Sequence, residues 1–152
     1  MKTILVPLDF SDSSNLLIDQ AAALARPLGA RLILLHVVEP VANYVPVGAT
    51  MDVIAAVAPV TENPEILAVH EKHLKNLAEP LRAAGMEVEE CALVGLAVDD
   101  IIDQAAKRQA DYIVLGSHGH GALYHLFSGS VVTGVLQRAA CPVIIVPARK
   151  AG

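Results

Sequence analysis

The chain has 152 residues, 54% of them hydrophobic and 18% charged, with no tryptophan and a formal net charge of −5. That length suits one domain, 1–152, around one core. Its aliphatic composition suits a sheet buried on both faces, and a negative balance without any cluster of Lys or Arg argues against a nucleic-acid groove, whose affinity comes largely from neutralised phosphates.

No uninterrupted apolar run reaches the roughly 18 residues of a membrane span. Asp9 follows Ile4-Leu5-Val6-Pro7 too soon for a secretory signal, so a cytoplasmic protein is expected. Cys91 and Cys141 stand far apart with no Cys-x-x-Cys pair, which predicts reduced, small buried side chains rather than a disulfide or a thiolate metal site.

Short β-branched or aliphatic runs at residues 3–8, 31–38, 87–94, 111–116 and 142–147 predict five strands, and a helix-period segment follows each of the first four. After the first, Ser11-Asp12-Ser13 offers N-cap oxygens, and Leu17, Ala21, Leu24 and Leu28 form a stripe that stops at Gly29. Residues 39–62 make a long apolar connection, a length usual for lids and binding loops. Asn63-Pro64 then reads as an N-cap and first turn, followed by the stripe Leu67, Leu74, Leu77 and Leu81, with Pro80 expected to bend the last turns before Gly85. Val98, Ile101, Ile102 and Ala105 predict a third helix, with Asp99 and Asp100 at its positive end and Lys107 and Arg108 at its negative end. Val131, Val132, Val135 and Leu136 predict the fourth. Strands alternating with single helices imply right-handed crossovers and a doubly wound α/β fold, its parallel sheet covered on both faces.

In such a sheet ligands bind beyond the carboxyl ends of the strands. Strand one ends in Pro7-Leu8-Asp9-Phe10-Ser11-Asp12, which sets Asp9 at the sheet edge. Strand four ends in Gly116-Ser117-His118-Gly119-His120-Gly121, and Gly129-Ser130 opens the fourth helix. Those glycines permit close approach of a ligand, and free N–H groups with a hydroxyl at a positive helix end describe a phosphate cradle. Turns alone would also account for the glycines.

Gly116-x-x-Gly119, nine residues, then Gly129-Ser130 resembles the Gly-x2-Gly-x9-Gly-(Ser/Thr) nucleotide motif of the universal stress protein family. The likeness extends to residues 4–11, to Leu34-Leu35-His36-Val37 and to Cys141-Pro142-Val143. It implies an adenine-nucleotide-binding, Rossmann-like fold with strand order three-two-one-four-five. It also implies ATP, ADP or AMP, with Mg²⁺, as the cofactor. Carried over by position, it nominates Pro7, Leu8, Asp9 and Val37 for adenosine, and Gly116, His118, Gly119, Gly129, Ser130 and Val131 for ribose and phosphates. One departure is visible: some ATP-binding relatives carry a hydroxyl residue where this chain has Val132, and threonine comes one later, at Thr133.

Other chemistries lack their motifs. Gly-x4-Gly-Lys-(Ser/Thr) is absent, as is Gly-x-Gly-x-x-Gly after strand one, so neither fast phosphoryl transfer nor NAD binding is expected. Asp9-Phe10-Ser11-Asp12 matches neither the Ser-Gly-Gly-x-Asp-Ser loop nor the His-x-Gly-His motif of related nucleotide enzymes. No Gly-x-Ser-x-Gly elbow presents a nucleophile. His118, His120 and His125 could in principle gather around a metal or a phosphate, but close spacing in a glycine loop does not establish the convergent geometry that metal ligation needs; one of them suits a partial positive charge beside phosphates. The expected function is therefore a nucleotide-dependent sensor or regulator without catalytic residues; the rival is a slow ATPase or nucleotidyl-transfer enzyme in the same crevice, with Asp9 or a histidine orienting water. Val143-Ile144-Ile145-Val146, apolar and uncharged, predicts a homodimer along strand five.

Overall fold

The computed structural model describes residues 1–40, 64–117 and 131–147. Among them the strands are β1 (Thr3–Pro7), β2 (Arg31–Val38), β3 (Val88–Val94), β4 (Tyr112–Gly116) and β5 (Val143–Val146). The helices are α1 (Ser14–Leu28), α2 (Pro64–Ala83), α3 (Ala97–Lys107) and α4 (Val131–Arg138). Asn63 and nearly all of the 39–62 connection fall outside the described residues, as do His118, Gly119, His120, His125, Gly129 and Ser130.

All strand pairs are parallel, in the order β3-β2-β1-β4-β5 expected from the family likeness. Leu5 is paired with Ile33 on β2 and with Ile113 on β4, so the first strand is the middle of the sheet. Alternation along the strands divides the core in two. Ile4, Val6, Leu8, Leu32 and Leu34 pack with α1 and with Leu74, Ala78 and Leu81 of α2. Leu5, Ile33, Leu35, Ile113 and Leu115 face the other way, onto Ile101 and Ala105 of α3 and Val135 of α4. Near-continuous aliphatic runs are what a strand buried on both faces requires. Because the connections that follow β1 and β4 leave to opposite faces of the sheet, through α1 and α4, a crevice opens between the carboxyl ends of these two strands.

α1 stops as expected: Gly29 takes the left-handed conformation at φ 57° and its N–H reaches the Arg26 carbonyl at 3.2 Å. Its start departs from expectation. Ser13 occupies the N-cap position but makes no capping bond, because its hydroxyl is paired with that of Ser11 at 2.8 Å. α2 runs through Pro80, which removes one helical hydrogen bond, and ends at Ala83. Arg82 in its last turn clamps Glu90 of β3 with two nitrogens, at 2.7 and 2.5 Å, and donates a third bond to the Val88 carbonyl. α3 and α4 pack so closely that a Cβ at Gly134 would lie 2.8 Å from Val98 Cγ2. Of the fourth apolar stripe, Val132 and Val135 are buried, whereas Val131 and Leu136 face outward. Cys91 and Cys141 are free thiols, half-buried, and burial raises both above the ordinary thiol value.

Candidate functional site

A cleft of about 510 Å³ lies over the carboxyl ends of β1, β2 and β4. Six of the nominated residues line it together: Pro7, Leu8 and Asp9 from the end of β1, Val37 from β2, Gly116 from β4 and Val131 from α4. His118, Gly119, Gly129 and Ser130 lie outside the described residues. The walls are mostly aliphatic, from Leu17, Leu35, Val38, Ile101, Leu115 and Val132, with a few polar groups set among them. An apolar concavity with sparse polar groups is the usual make-up of a small-molecule site, and its volume falls in the usual range of about 300–1,000 Å³.

The corner after β1 is tightly determined. The Leu8 N–H donates to the Leu35 carbonyl at 2.7 Å, which extends the sheet ladder past the strand's end. Asp9 Oδ1 accepts the Ser11 N–H at 2.9 Å, closing a turn around Phe10. Phe10 itself holds φ at 57°, a left-handed conformation that costs a non-glycine residue of the order of 1–2 kcal/mol per residue. Ring stacking holds it there: its centroid lies 4.0 Å from that of His36, 4.1 Å from His73 and 5.7 Å from His70.

His36 was not among the nominated residues, yet it lines the cleft and joins three elements. From β2 its Nδ1 approaches the Leu8 carbonyl at 2.7 Å, and its ring stacks on His70 of α2 at 4.8 Å. A carbonyl can only accept, so Nδ1 carries the proton. Burial holds the imidazole below its ordinary value of 6.5, aided by the neighbouring imidazoles of His70 and His73 and opposed by the Leu8 carbonyl and Asp9. Its strand position was the available signal, since residues 32, 34 and 36 share one face.

Two further polar groups were missed. Glu39 at the end of β2 accepts the Ala97 N–H at the start of α3 at 3.2 Å. Ser14, the first residue of α1, lines the cleft at 6% exposure, and among the described residues its hydroxyl has no hydrogen-bond partner. Among the described residues no group of three His, Cys, Asp or Glu side chains is placed to hold a metal ion.

A family model described as the Universal stress protein family matches residues 1–147. A Thermus aquaticus protein, described as a universal stress protein in the QAH/OAS sulfhydrylase 3′ region, is 34% identical over 146 residues, 95% of this chain and 98% of its own length. Among solved structures, a universal stress protein in complex with cAMP is 26% identical with a TM-score of 0.66, over 97% of this chain and 98% of the other. The universal stress protein from Archaeoglobus fulgidus in complex with dAMP is 27% identical with a TM-score of 0.57, over 95% and 97% of the two chains.

Proposed function

Because the chain belongs to the universal stress protein family, we propose that it binds an adenine nucleotide in the cleft at the carboxyl edge of its sheet and acts through that binding. The observation that carries this reading is the gathering of Pro7, Leu8, Asp9, Val37, Gly116 and Val131 around one cleft, at the crevice where an open α/β sheet holds its ligands. The cAMP and dAMP complexes of two relatives support an adenine nucleotide as the ligand class.

In this reading Pro7, Leu8, Asp9 and Val37 hold adenosine, while Gly116, Val131 and the motif residues His118, Gly119, Gly129 and Ser130 hold ribose and phosphates. ATP is the nucleotide that the motif favours. Mg²⁺ would arrive with the phosphates, for which Asp9 supplies one exposed carboxylate at the cleft; magnesium sites commonly use one or two carboxylates together with substrate phosphates. The protein works as a single-domain, cytoplasmic homodimer that senses or stores nucleotide. Among the described residues no helix is long and apolar enough to cross a membrane.

Mass spectrometry of the denatured, purified protein, followed by calorimetric titration with ATP, tests the reading directly. A bound or titratable adenine nucleotide is expected. Gly129→Val should abolish binding in a protein whose circular dichroism is unchanged, because the side chain would fill the phosphate path. Unchanged affinity in that folded variant would remove the assigned site.

A further inference from the structure

The start of α1 is polar where a helix start is normally self-satisfied. A first turn usually takes a side-chain oxygen from its N-cap residue, which settles one of its free N–H groups. Here Ser13 holds the N-cap position and spends its hydroxyl on Ser11 at 2.8 Å. The positive end of a 15-residue helix is therefore left without a side-chain cap.

The next residue adds a second, independent feature. Ser14 is 6% exposed, lines the cleft beside Leu17 and Pro7, and its Oγ is the one buried side-chain polar atom without a hydrogen-bond partner among the described residues. A buried hydroxyl left unpaired costs about 1–3 kcal/mol. Alanine at that place would avoid the cost and would suit the stripe of Ala21, Ala22 and Ala25 that continues the same helix face. Among the described residues nothing relieves that penalty, and a hydrogen-bond acceptor entering the cleft would.

We infer that the Ser14 hydroxyl is a ligand-binding group that donates to a phosphate oxygen held at the uncapped N-terminus of α1. This inference rests on the adenine-nucleotide reading of the cleft. An anionic oxygen is the fitting acceptor, since helix N–H groups and the hydroxyl both present positive hydrogens to it. The phosphates would then lie between two helix starts, that of α1 at Ser14 and that of α4 at Val131, both of which border the cleft.

The test pairs affinity with the stability of the ligand-free protein. Ser14→Ala should weaken ATP binding about tenfold by calorimetry, the usual size for one lost hydrogen bond to a charged group, while the thermal midpoint of the nucleotide-free protein stays level or rises. Adenosine, which has no phosphate, should lose less than twofold. ATP affinity within twofold of wild type overturns the inference and leaves the nucleotide reading standing. A fall of several degrees in the ligand-free midpoint also overturns it, because the serine would then be structural. An equal loss for adenosine moves the contact to the nucleoside and overturns the phosphate assignment. Wild-type protein that binds no adenine nucleotide removes the nucleotide reading, and the Ser14 inference with it.

Discussion

His36 and Leu8 are joined across β2 and β1 by a 2.7 Å hydrogen bond from imidazole Nδ1 to the Leu8 carbonyl, and through it the cleft is tied to a stack of rings on α2. Leu8 is followed by Asp9 and by the strained Phe10, so the bond fixes a corner whose backbone would otherwise relax. His36 faces His70 and His73 from α2 and Asp9 from the β1–α1 corner; its register neighbour on β3, Ala92, has no charge.

That arrangement makes stability fall on mild acidification. Burial lowers the His36 value below 6.5, so the unfolded chain takes up the proton first. Stability is full above the unfolded value and is lost as pH drops from about 7 through 6.5 toward the folded value, after which the loss levels off. Urea midpoints from pH 8 to 5.5 should show this decline. His36→Asn, whose amide can still donate to Leu8, should reduce it. Parallel curves for the two proteins would show that His36 has no part in it.

The clamp of Arg82 on Glu90 gives a second pH dependence at lower pH. The guanidinium holds the Glu90 carboxyl below its ordinary value of 4.5. A depressed carboxylate contributes stability above the unfolded value and loses it as pH falls below about 4.5 through the folded value. Arg82→Ala removes two bonds to Glu90 and one to the Val88 carbonyl, leaving a half-buried carboxylate without its partner. We expect a loss of about 1–2 kcal/mol at neutral pH by chemical denaturation, in the range for hydrogen bonds to charged groups. A loss below about 0.3 kcal/mol would place the clamp among surface pairs of no consequence.

ATP turnover should be far below the enzyme median of about 10 per second. Among the described cleft residues the titratable side chains are Asp9, His36 and Glu39, and each is engaged in holding backbone: Asp9 with Ser11, His36 with Leu8 and Glu39 with Ala97. Asp9 and Glu39 remain exposed, but one oxygen of each is committed to a backbone N–H, and Nδ1 of His36 is committed to the Leu8 carbonyl. Release of ADP or AMP at ordinary enzymatic rates, abolished by Asp9→Ala, would favour the slow-enzyme alternative instead.

Much of this molecule could be read from local pattern. The run at residues 31–38 became β2 with the same bounds, and the run at 3–8 became Thr3–Pro7, because unbroken aliphatic stretches between turn residues have few other uses. The cleft's position followed from the carboxyl-edge rule. Hydroxyl partners did not follow, because Ser11, Ser13 and Ser14 are equivalent in sequence, whereas in the fold Ser11 and Ser13 pair with each other, Ser14 stays open and none of them caps α1. The expected stripe of Leu17, Ala21, Leu24 and Leu28 was also shifted: the face that α1 buries is Ser14, Leu17, Ile18, Ala21, Ala22 and Ala25, while Leu28 is exposed, so the serine's burial was not read. The ring stack was harder to foresee, since it depends on how α2 lies against β2 across a long connection. Only the i, i+3 spacing of His70 and His73 hinted that two imidazoles share a helix face.

The sheet's two edges are treated differently, and this sets the last prediction. β3, at one edge, carries Glu89 and Glu90, each engaged by an arginine, Arg108 and Arg82. Charges on an edge strand oppose pairing with another chain. β5, at the other edge, is Val143-Ile144-Ile145-Val146 with no charge at all. Its side chains pack to both faces, Val143 and Ile145 toward α3 and α4, Ile144 and Val146 toward α1 and α2, and all four remain half-buried rather than covered. The outer backbone groups of such a strand are a template for a second copy. Two copies related by a two-fold axis would pair antiparallel, matching each other's N–H and carbonyl groups and covering the half-exposed aliphatic side chains. We therefore expect wild-type protein to sediment as a dimer at micromolar concentration, and Ile145→Lys, which places a charge beside the axis of pairing, to shift it toward monomer. Circular dichroism should remain that of the wild type, because Ile145 is only half-buried in the subunit. A wild-type monomer at that concentration would refute the strand-five dimer, and so would a folded Ile145→Lys protein that stays fully dimeric.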